Sequence, residues 1–234
     1  MNERVDIAVI GGGPAGAATA IRAARAGASV VVFEKGAHGR DKICGDGLTP
    51  RAVKALNDLE IPLTDAHHID GLRMIAGKRE RELPWSDGDR FPSHGAVWPR
   101  RRLDAALIGA AIEAGADVRF ETEAEPVFGD DGAVVRCARH RHRRRRPRGR
   151  GDGCAGQGRP DVLGAERDPN EPYGLAIRSY VESPRHDDAL IEACLTIKDE
   201  HGTWVPGYGW MFPCGDGTVS IGVGALSTMQ GSSR

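Results

Sequence analysis

A chain of 234 residues, 40% hydrophobic and 28% charged, has the composition of an ordinary globular protein, with room for one sizeable core or two smaller units. No apolar run reaches the roughly 18 residues of a membrane span, and Met1-Asn2-Glu3-Arg4 does not open a secretory signal. The net charge of −1 conceals an asymmetry: residues 137–160 hold nine arginines and one aspartate, a local +8, so the remainder carries −9. Five scattered cysteines (Cys44, Cys137, Cys154, Cys194, Cys214) form no CxxC pair, which argues against a disulfide framework or a zinc site and makes a reducing cytoplasm the default.

Val5 to Ile10 is a short apolar run rich in β-branched residues and predicts a buried parallel strand. Gly11-Gly12-Gly13-Pro14-Ala15-Gly16 follows at once. Ala17 to Ala26 is an Ala-rich helix former stopped by Gly27, and Ser29 to Phe33 predicts the next strand, with Glu34 and Lys35 at its carboxyl end. This is the pattern of a βαβ dinucleotide-binding unit. Gly11 permits the tight turn, Gly13 lets the backbone approach a pyrophosphate, and Gly16 lets helix and sheet pack closely. The helix N-terminus offers unpaired N–H groups to phosphates. Glu34, 18 residues after Gly16, stands where a carboxylate accepts ribose hydroxyls and repels a 2′-phosphate.

Thr49 to Leu59 predicts a short helix with Pro50 in its first turn. Residues 68–98 hold strand-like pieces broken by Gly77, Pro84, Asp87-Gly88 and Pro92, as in a small β-rich insert. Leu103 to Ala114 predicts a helix with Leu103, Leu107, Ala110 and Ala114 on one face and Gly115 as the stop. Asp117 to Thr122 returns as a strand, and Val127-Phe128 and Ala133-Val134-Val135 flank a predicted hairpin turn at 129–132. From Tyr173 onward, alternating runs predict an antiparallel sheet. His67-His68 has no ligand set near it in sequence and reads as surface rather than metal site.

Arg40-Asp41-Lys42-Ile43-Cys44-Gly45-Asp46-Gly47 is a second constellation: glycines flanking an acid make a loop able to sit against a flat ring. By itself it reads first as a plain turn. Together, GGGPAGAATA, RDKICGDGLTPRAV, PRRRLDAAL and PGYGWMFPCGDGTVSIGVGAL resemble the geranylgeranyl reductase family of FAD-dependent oxidoreductases, menaquinone-reductase-like members above all. The resemblance implies an α/β fold of the p-hydroxybenzoate hydroxylase type. In it, a discontinuous Rossmann-type FAD-binding domain is interleaved with an antiparallel β-sheet substrate module. It divides the chain into an FAD-binding βαβ part (1–66), a β-rich insert (67–99), a return to the FAD domain (100–170) and a substrate-domain sheet (171–234). It also implies that reduced flavin delivers hydride to isoprenoid carbon–carbon double bonds.

Residue by residue, Gly11, Gly12, Gly13, Pro14, Ala15 and Gly16 match the pyrophosphate turn, and Glu34, with Lys35 beside it, the ribose acid. Arg40 and Cys44, Gly45, Asp46 and Gly47 match the segment near the flavin ring, and Arg100, in Arg-x-x-Leu-Asp with Leu103 and Asp104, an arginine reaching the cofactor. Tyr208 and Trp210 match an aromatic strand facing the substrate cavity. Each has a bland counterpart. Cys44 is a reactive thiol or a small buried residue, residues 100–102 are a cofactor contact or a solvated patch capping a helix, and Trp210 and Phe212 are cavity wall or plain core.

The chain departs from the family twice. Family members continue past the GVGAL strand to a Gly-Asp motif that contacts FAD from the other side, so the resemblance implies a C-terminally truncated member. Residues 139–160, Arg-rich and devoid of apolar periodicity, cannot form the buried parallel strand the family places there. A compensated frameshift in a GC-rich gene accounts for this, because CGN arginine codons read one base later encode Gly, Ala, Asp or Val. The rival reading is an arm for nucleic acid or anionic membrane, but no aromatic residue is interleaved for base stacking. The leading expectation is therefore an FAD-dependent reductase of a prenyl quinone or geranylgeranyl lipid. It would be cytoplasmic, peripheral to the inner face of the membrane, without nucleic acid, with an unidentified electron donor. The alternatives are a flavin monooxygenase or halogenase of the same fold, the latter lacking its Trp-x-Trp-x-Ile signature here, and a non-catalytic remnant.

Overall fold

The computed structural model describes residues 3–86, 88, 90–128, 134–141 and 174–226, the last residue of the third stretch and all of the fourth by backbone alone. The chain forms two compact units, residues 1–41 with 101–166, and residues 42–100 with 167–234. The Arg-rich run from residue 142 to 160, with its proposed frameshift, lies outside the described residues.

In the first unit, β1 (Ile7–Ile10), β2 (Val30–Phe33) and β8 (Asp117–Arg119) form a parallel sheet in the order β1-β2-β8. All four residues of β2 are buried, as a central parallel strand of Val-Val-Val-Phe demands. Helix α1 (Pro14–Arg25) follows β1 and buries Ala17, Ala20 and Ile21; Arg22 and Arg25 in its last turn suit the negative end of the helix dipole. Helix α3 (Arg100–Glu113) ends before Gly115, whose φ is +102°, a conformation glycine adopts without strain. It buries Leu103, Asp104, Leu107, Ile108 and Ala111, so the apolar stripe runs through Ile108 and Ala111 instead of Ala110 and Ala114. β9 (Thr122–Phe128) and β10 (Val134–Arg141) pair antiparallel, the hairpin expected on either side of 129–132. Val31 and Phe33 pack with Ala124 and Val5 on one face of the sheet.

In the second unit, β3 (Gly47–Leu48), β4 (His67–Ile69) and β7 (Gly95–Val97) make a small antiparallel sheet in the order β3-β7-β4. Helix α2 (Pro50–Asn57) is capped by Thr49, whose hydroxyl accepts the Ala52 N–H, and buries Val53 and Leu56. The larger sheet has six strands, β11 (Gly174–Glu182), β14 (Thr218–Leu226), β13 (Gly207–Pro213), β12 (Leu190–Cys194), β5 (Gly71–Ala76) and β6 (Arg79–Pro84), in that order. The β-rich insert and the C-terminal strands thus share one sheet. Its one parallel junction is β12 with β5; every other pair is antiparallel. Ile69, Val97 and Cys214 form a core cluster with Trp85, Tyr180, Ile191 and Phe212 against it. His67 is half-buried, its Nε2 2.9 Å from the Asp188 carbonyl, so only His68 of that pair is a surface residue. No helix among the described residues is long and apolar enough to cross a membrane.

Candidate functional site

The expected site residues divide between the units: Gly11 to Arg40 stand in the first, and Cys44 to Gly47, Arg100, Tyr208 and Trp210 in the second.

In the first unit the turn out of β1 needs its glycines for distinct reasons. Gly11 has φ +100° and donates its N–H to the Phe33 carbonyl at 2.8 Å. A Cβ on Gly16 would lie 1.9 Å from the Gly11 carbonyl oxygen, so helix and turn approach this closely only without a side chain. Gly13 is the N-cap of α1 and supplies no side-chain cap; a Cβ there would meet nothing within 4 Å. The result is an open, uncapped helix start with Pro14 at its head and no acidic residue in its first turn, the environment an anionic pyrophosphate requires.

Glu34 is buried at the end of β2, with 4% of its surface exposed. Its Oε2 accepts the Gly12 N–H at 2.8 Å and its Oε1 the Gly36 N–H at 2.7 Å. Arg40 adds Nε to Oε1 at 2.9 Å and Nη2 to Oε2 at 3.1 Å, and its Nη1 lies 3.8 Å from Asp104 Oδ2. Burial raises the carboxyl's pKa, but Arg40 and the Gly36 and Gly12 N–H groups outweigh it and hold the acid below its ordinary range. Lys35 points to solvent. Between Gly12, Glu34, Arg40, Asp104, Ile108 and Phe120 lies a cavity of about 20 Å³, room for about one water. Asp104, visible in the sequence only as part of the Arg-x-x-Leu-Asp pattern, joins this site because α3 presents it on its buried side.

In the second unit, Cys44-Gly45-Asp46-Gly47 rests on the aromatic strand β13. A Cβ on Gly45 would be 2.8 Å from Phe212 Cε2, and one on Gly47 2.9 Å from the same atom. Asp46 is 1% exposed with φ +69°. Its carboxylate accepts the Tyr180 hydroxyl at 2.8 Å and the Arg100 N–H at 3.0 Å, and its carbonyl accepts the Trp98 N–H at 2.9 Å. Burial pushes the Asp46 carboxyl up, against these donors and the Arg178 charge. Cys44 is half-buried. Arg100 meets the loop through its backbone N–H, while Arg101 and Arg102 are exposed.

Strand alternation puts Tyr208, Trp210 and Phe212 on one face of β13 and Gly209 and Met211 on the other. Trp210 is 9% exposed, and its indole N–H has no partner among the described residues; a Cβ on Gly45 would lie 3.4 Å from that nitrogen. A buried orphan donor beside a glycine loop fits a ligand with a polar ring edge. Tyr208, 46% exposed, lies 6.0 Å from Trp210 between ring centroids. A groove of about 730 Å³ lies on the opposite, Met211 face of the same sheet, lined by Ile75, Ile177, Met211, Ile221 and Val223, with Glu192 and Cys194 among its walls. Arg178 and Tyr180, which no sequence motif singled out, bind the loop from β11. Their only signal was the alternation of Arg178 and Tyr180 with Ile177 and Ser179 along one strand.

A family model for the FAD binding domain matches residues 4–147. The chain belongs to the FAD-binding domain family. Among its curated relatives is the menaquinone reductase of Mycolicibacterium smegmatis. This chain is 40% identical to it over 98% of its own length and 57% of the relative's. The menaquinone reductase of Mycobacterium tuberculosis strain H37Rv is 38% identical, with the same coverages. Digeranylgeranylglycerophospholipid reductase 1 of Methanopyrus kandleri is 30% identical over 94% of this chain and 57% of the relative. The chain thus spans a little over half the length of these relatives. The fold is similar to a geranylgeranyl bacteriochlorophyll reductase-like protein of Thermoplasma acidophilum, at TM-score 0.72 and 23% identity, covering 94% of this chain and 56% of that one. It is also similar to a myxobacterial chondrochloren halogenase, at TM-score 0.65 and 20% identity, covering 98% and 54%.

Proposed function

We propose that this chain provides the cofactor-binding and catalytic-sheet portion of an FAD-dependent reductase acting on carbon–carbon double bonds of an isoprenoid lipid, a prenyl quinone of the menaquinone class in the first instance. The observation that carries the reading is 40% identity to a menaquinone reductase along 98% of this chain. Solved structures of the monooxygenase and halogenase kind match in fold at 17–21% identity.

The glycine turn from Gly11 to Gly16 would hold the pyrophosphate, Glu34 the ribose, and Cys44 to Gly47 with the Arg100 segment the ring. When bound, the flavin supplies the hydride. The chain's own residues do the rest: the open start of α1 orients the phosphates, and the Cys44–Gly47 loop, seated on Phe212, would present its peptide edge to the ring. Tyr208 and Trp210, on the face of β13 that meets the loop, would form the aromatic wall, and Cys44 has no assigned chemical step. A substrate of this class resides in the bilayer, so the enzyme works at a membrane surface; the electron donor stays open.

The test is direct. The purified chain, loaded with FAD and reduced with dithionite under anaerobic conditions, is given a menaquinone and the product weighed by mass spectrometry. Gain of two hydrogens on the isoprenoid tail supports the reading. Flavin that binds and reduces no menaquinone, but on admission of dioxygen (with a halide) hydroxylates or halogenates an added aromatic substrate, points to the second reading, and a colourless chain to a non-catalytic remnant.

A further inference from the structure

Two side chains on one face of β11 have no part in the assignments above. Arg178 donates Nε to the Cys44 carbonyl at 3.1 Å and Nη2 to the Lys42 carbonyl at 3.0 Å, and its guanidinium lies 4.2 Å from the centre of the Tyr180 ring. Tyr180 donates its hydroxyl to Asp46 Oδ2 at 2.8 Å. From adjacent positions on that face, a single strand therefore grips the segment at residues 42, 44 and 46. Phe212 closes the loop from beneath, at the Gly45 and Gly47 positions.

We propose that Arg178 and Tyr180 are positioning residues for the Cys44–Gly47 loop, fixing the peptide edge against which the flavin ring would lie. The inference rests on the reading of that loop as the flavin-facing one. A four-residue loop with two glycines loses much backbone entropy on ordering, and Asp46 sits in a left-handed conformation that a non-glycine residue adopts only when its surroundings impose it. Something must supply that constraint, and the tethers from β11 do so at three alternate residues. An arginine suits the task because its planar fork offers two donors to two carbonyls at once; a lysine ammonium at the end of a flexible stem does not. The tyrosine suits it because a buried carboxylate left without its donor is costly. Trp98 and Arg100 hold Asp46 from the other side through backbone N–H groups, so loss of either β11 side chain frees one edge of the loop while leaving the other pinned.

The test is amide hydrogen exchange of the full chain, read in peptides covering residues 42–48, for wild type, Tyr180→Phe, Arg178→Met and Arg178→Lys. FAD is added to parallel samples, and residues 71–76, in the same unit as the loop, serve with residues 7–33 as folding controls. The expected result is exchange at 42–48 about tenfold faster in Tyr180→Phe and Arg178→Met. Arg178→Lys recovers only part of the protection, and both controls stay at the wild-type rate. Flavin-loaded variants show a displaced visible band and a shifted reduction potential relative to loaded wild type. Exchange at 42–48 at the wild-type rate in both Tyr180→Phe and Arg178→Met overturns the proposal. So does faster exchange accompanied by an unchanged flavin spectrum and potential, since the loop would then not set the ring. Should one substitution also speed exchange at either control, the other two variants decide. A wild-type chain that protects 42–48 but takes up no flavin removes the cofactor assignment of the loop, and with it this proposal, while the variants still report whether the tethers hold.

Discussion

Arg40 and Glu34 form a two-point ion pair, Nε to Oε1 at 2.9 Å and Nη2 to Oε2 at 3.1 Å, in the position where an acid of the dinucleotide fold receives a ribose. With the Gly12 and Gly36 N–H groups, the carboxylate accepts four hydrogen bonds, about as many as its lone pairs allow. A ribose hydroxyl therefore reaches Glu34 in exchange for an Arg40 bond, and Asp104, 3.8 Å from Nη1, is the acid beside which the displaced guanidinium can remain. The pair links the glycine turn to the residues after β2, so the same carboxylate serves the fold and the ligand.

Replacing Glu34 with Gln turns one acceptor into a donor facing Arg40 and the glycine N–H groups. The expected cost is about 2 kcal/mol at neutral pH, measured by urea unfolding. The pH dependence has a defined sign. The folded-state pKa of Glu34 is lowered from 4.5, so its stabilisation is fully present above the ordinary value and disappears as pH falls through the lower folded value. Wild type and the Gln variant should converge in stability on acidification. A gap that stays constant into acid contradicts the ionic account of the pair.

Gly13 and Gly16 make opposite demands. A Cβ on Gly13 meets no atom within 4 Å and its φ of −77° suits any residue, so Gly13→Ala is expected to cost only about 0.5 kcal/mol of stability, as a weaker N-cap. Its effect falls on the approach of phosphate, and FAD affinity should drop about tenfold or more, measured by fluorescence titration. Gly16→Ala drives a methyl to 1.9 Å from the Gly11 carbonyl oxygen, so the backbone must shift. A loss of about 2–3 kcal/mol in unfolding free energy is expected.

The βαβ unit was legible because its determinants are local: a β-branched run, glycines at fixed spacing, an Ala-rich helix. Glu34 was placed correctly at the end of β2, yet its partner Arg40 was read only as a residue near the ring, because a side-chain pair six residues apart across a turn leaves no periodic trace. In α3 the expected stripe missed Ile108 and Ala111. Alanines and a glycine around the helix give little hydrophobic contrast between faces, and the buried Asp104 breaks the pattern further. The six-stranded sheet was legible as strands but not as an order. The parallel pairing of β12 with β5 joins Glu192 to Arg73 across more than a hundred residues, a register fixed by packing and by the Arg73–Glu192 ion pair at 2.7 Å. The tethers from Arg178 and Tyr180 were hidden for the same reason.

Gly45 and Gly47 owe their identity to one ring. Gly45→Ala places its methyl 2.8 Å from Phe212 Cε2 and is expected to destabilise by about 1–2 kcal/mol. Since the clashing atom belongs to a side chain, Phe212→Leu should relieve it. In a double-mutant cycle the two changes should couple by at least about 0.5 kcal/mol, and Gly47→Ala should couple to Phe212→Leu in the same sense. Additivity in both cycles would mean that backbone conformation, not the ring, selects glycine there.

Asp46 should titrate in the opposite sense to Glu34. Burial is the largest influence on its carboxyl and raises its folded-state pKa above 3.8, although Tyr180, the Arg100 N–H and Arg178 favour the charged form. An acid with a raised folded pKa binds its proton more tightly in the native state. Its contribution to stability is therefore greatest below 3.8 and declines as pH rises through the folded value. Asp46→Asn removes the titration while keeping one acceptor for Tyr180 or Arg100. Its unfolding free energy should lack the decline that wild type shows on going from acid toward neutral pH through this window. Its donor amide, facing an N–H or O–H, should cost about 1–2 kcal/mol where wild type is protonated. Tyr180→Phe acts on the same carboxyl by removing a donor to the charged form, so its decline should start from the same pH, be larger and extend to higher pH. If wild type and Asp46→Asn run parallel across acid pH while wild type and Glu34→Gln do not, the donors from Tyr180 and Arg100 offset burial at Asp46 and its folded-state pKa is not raised.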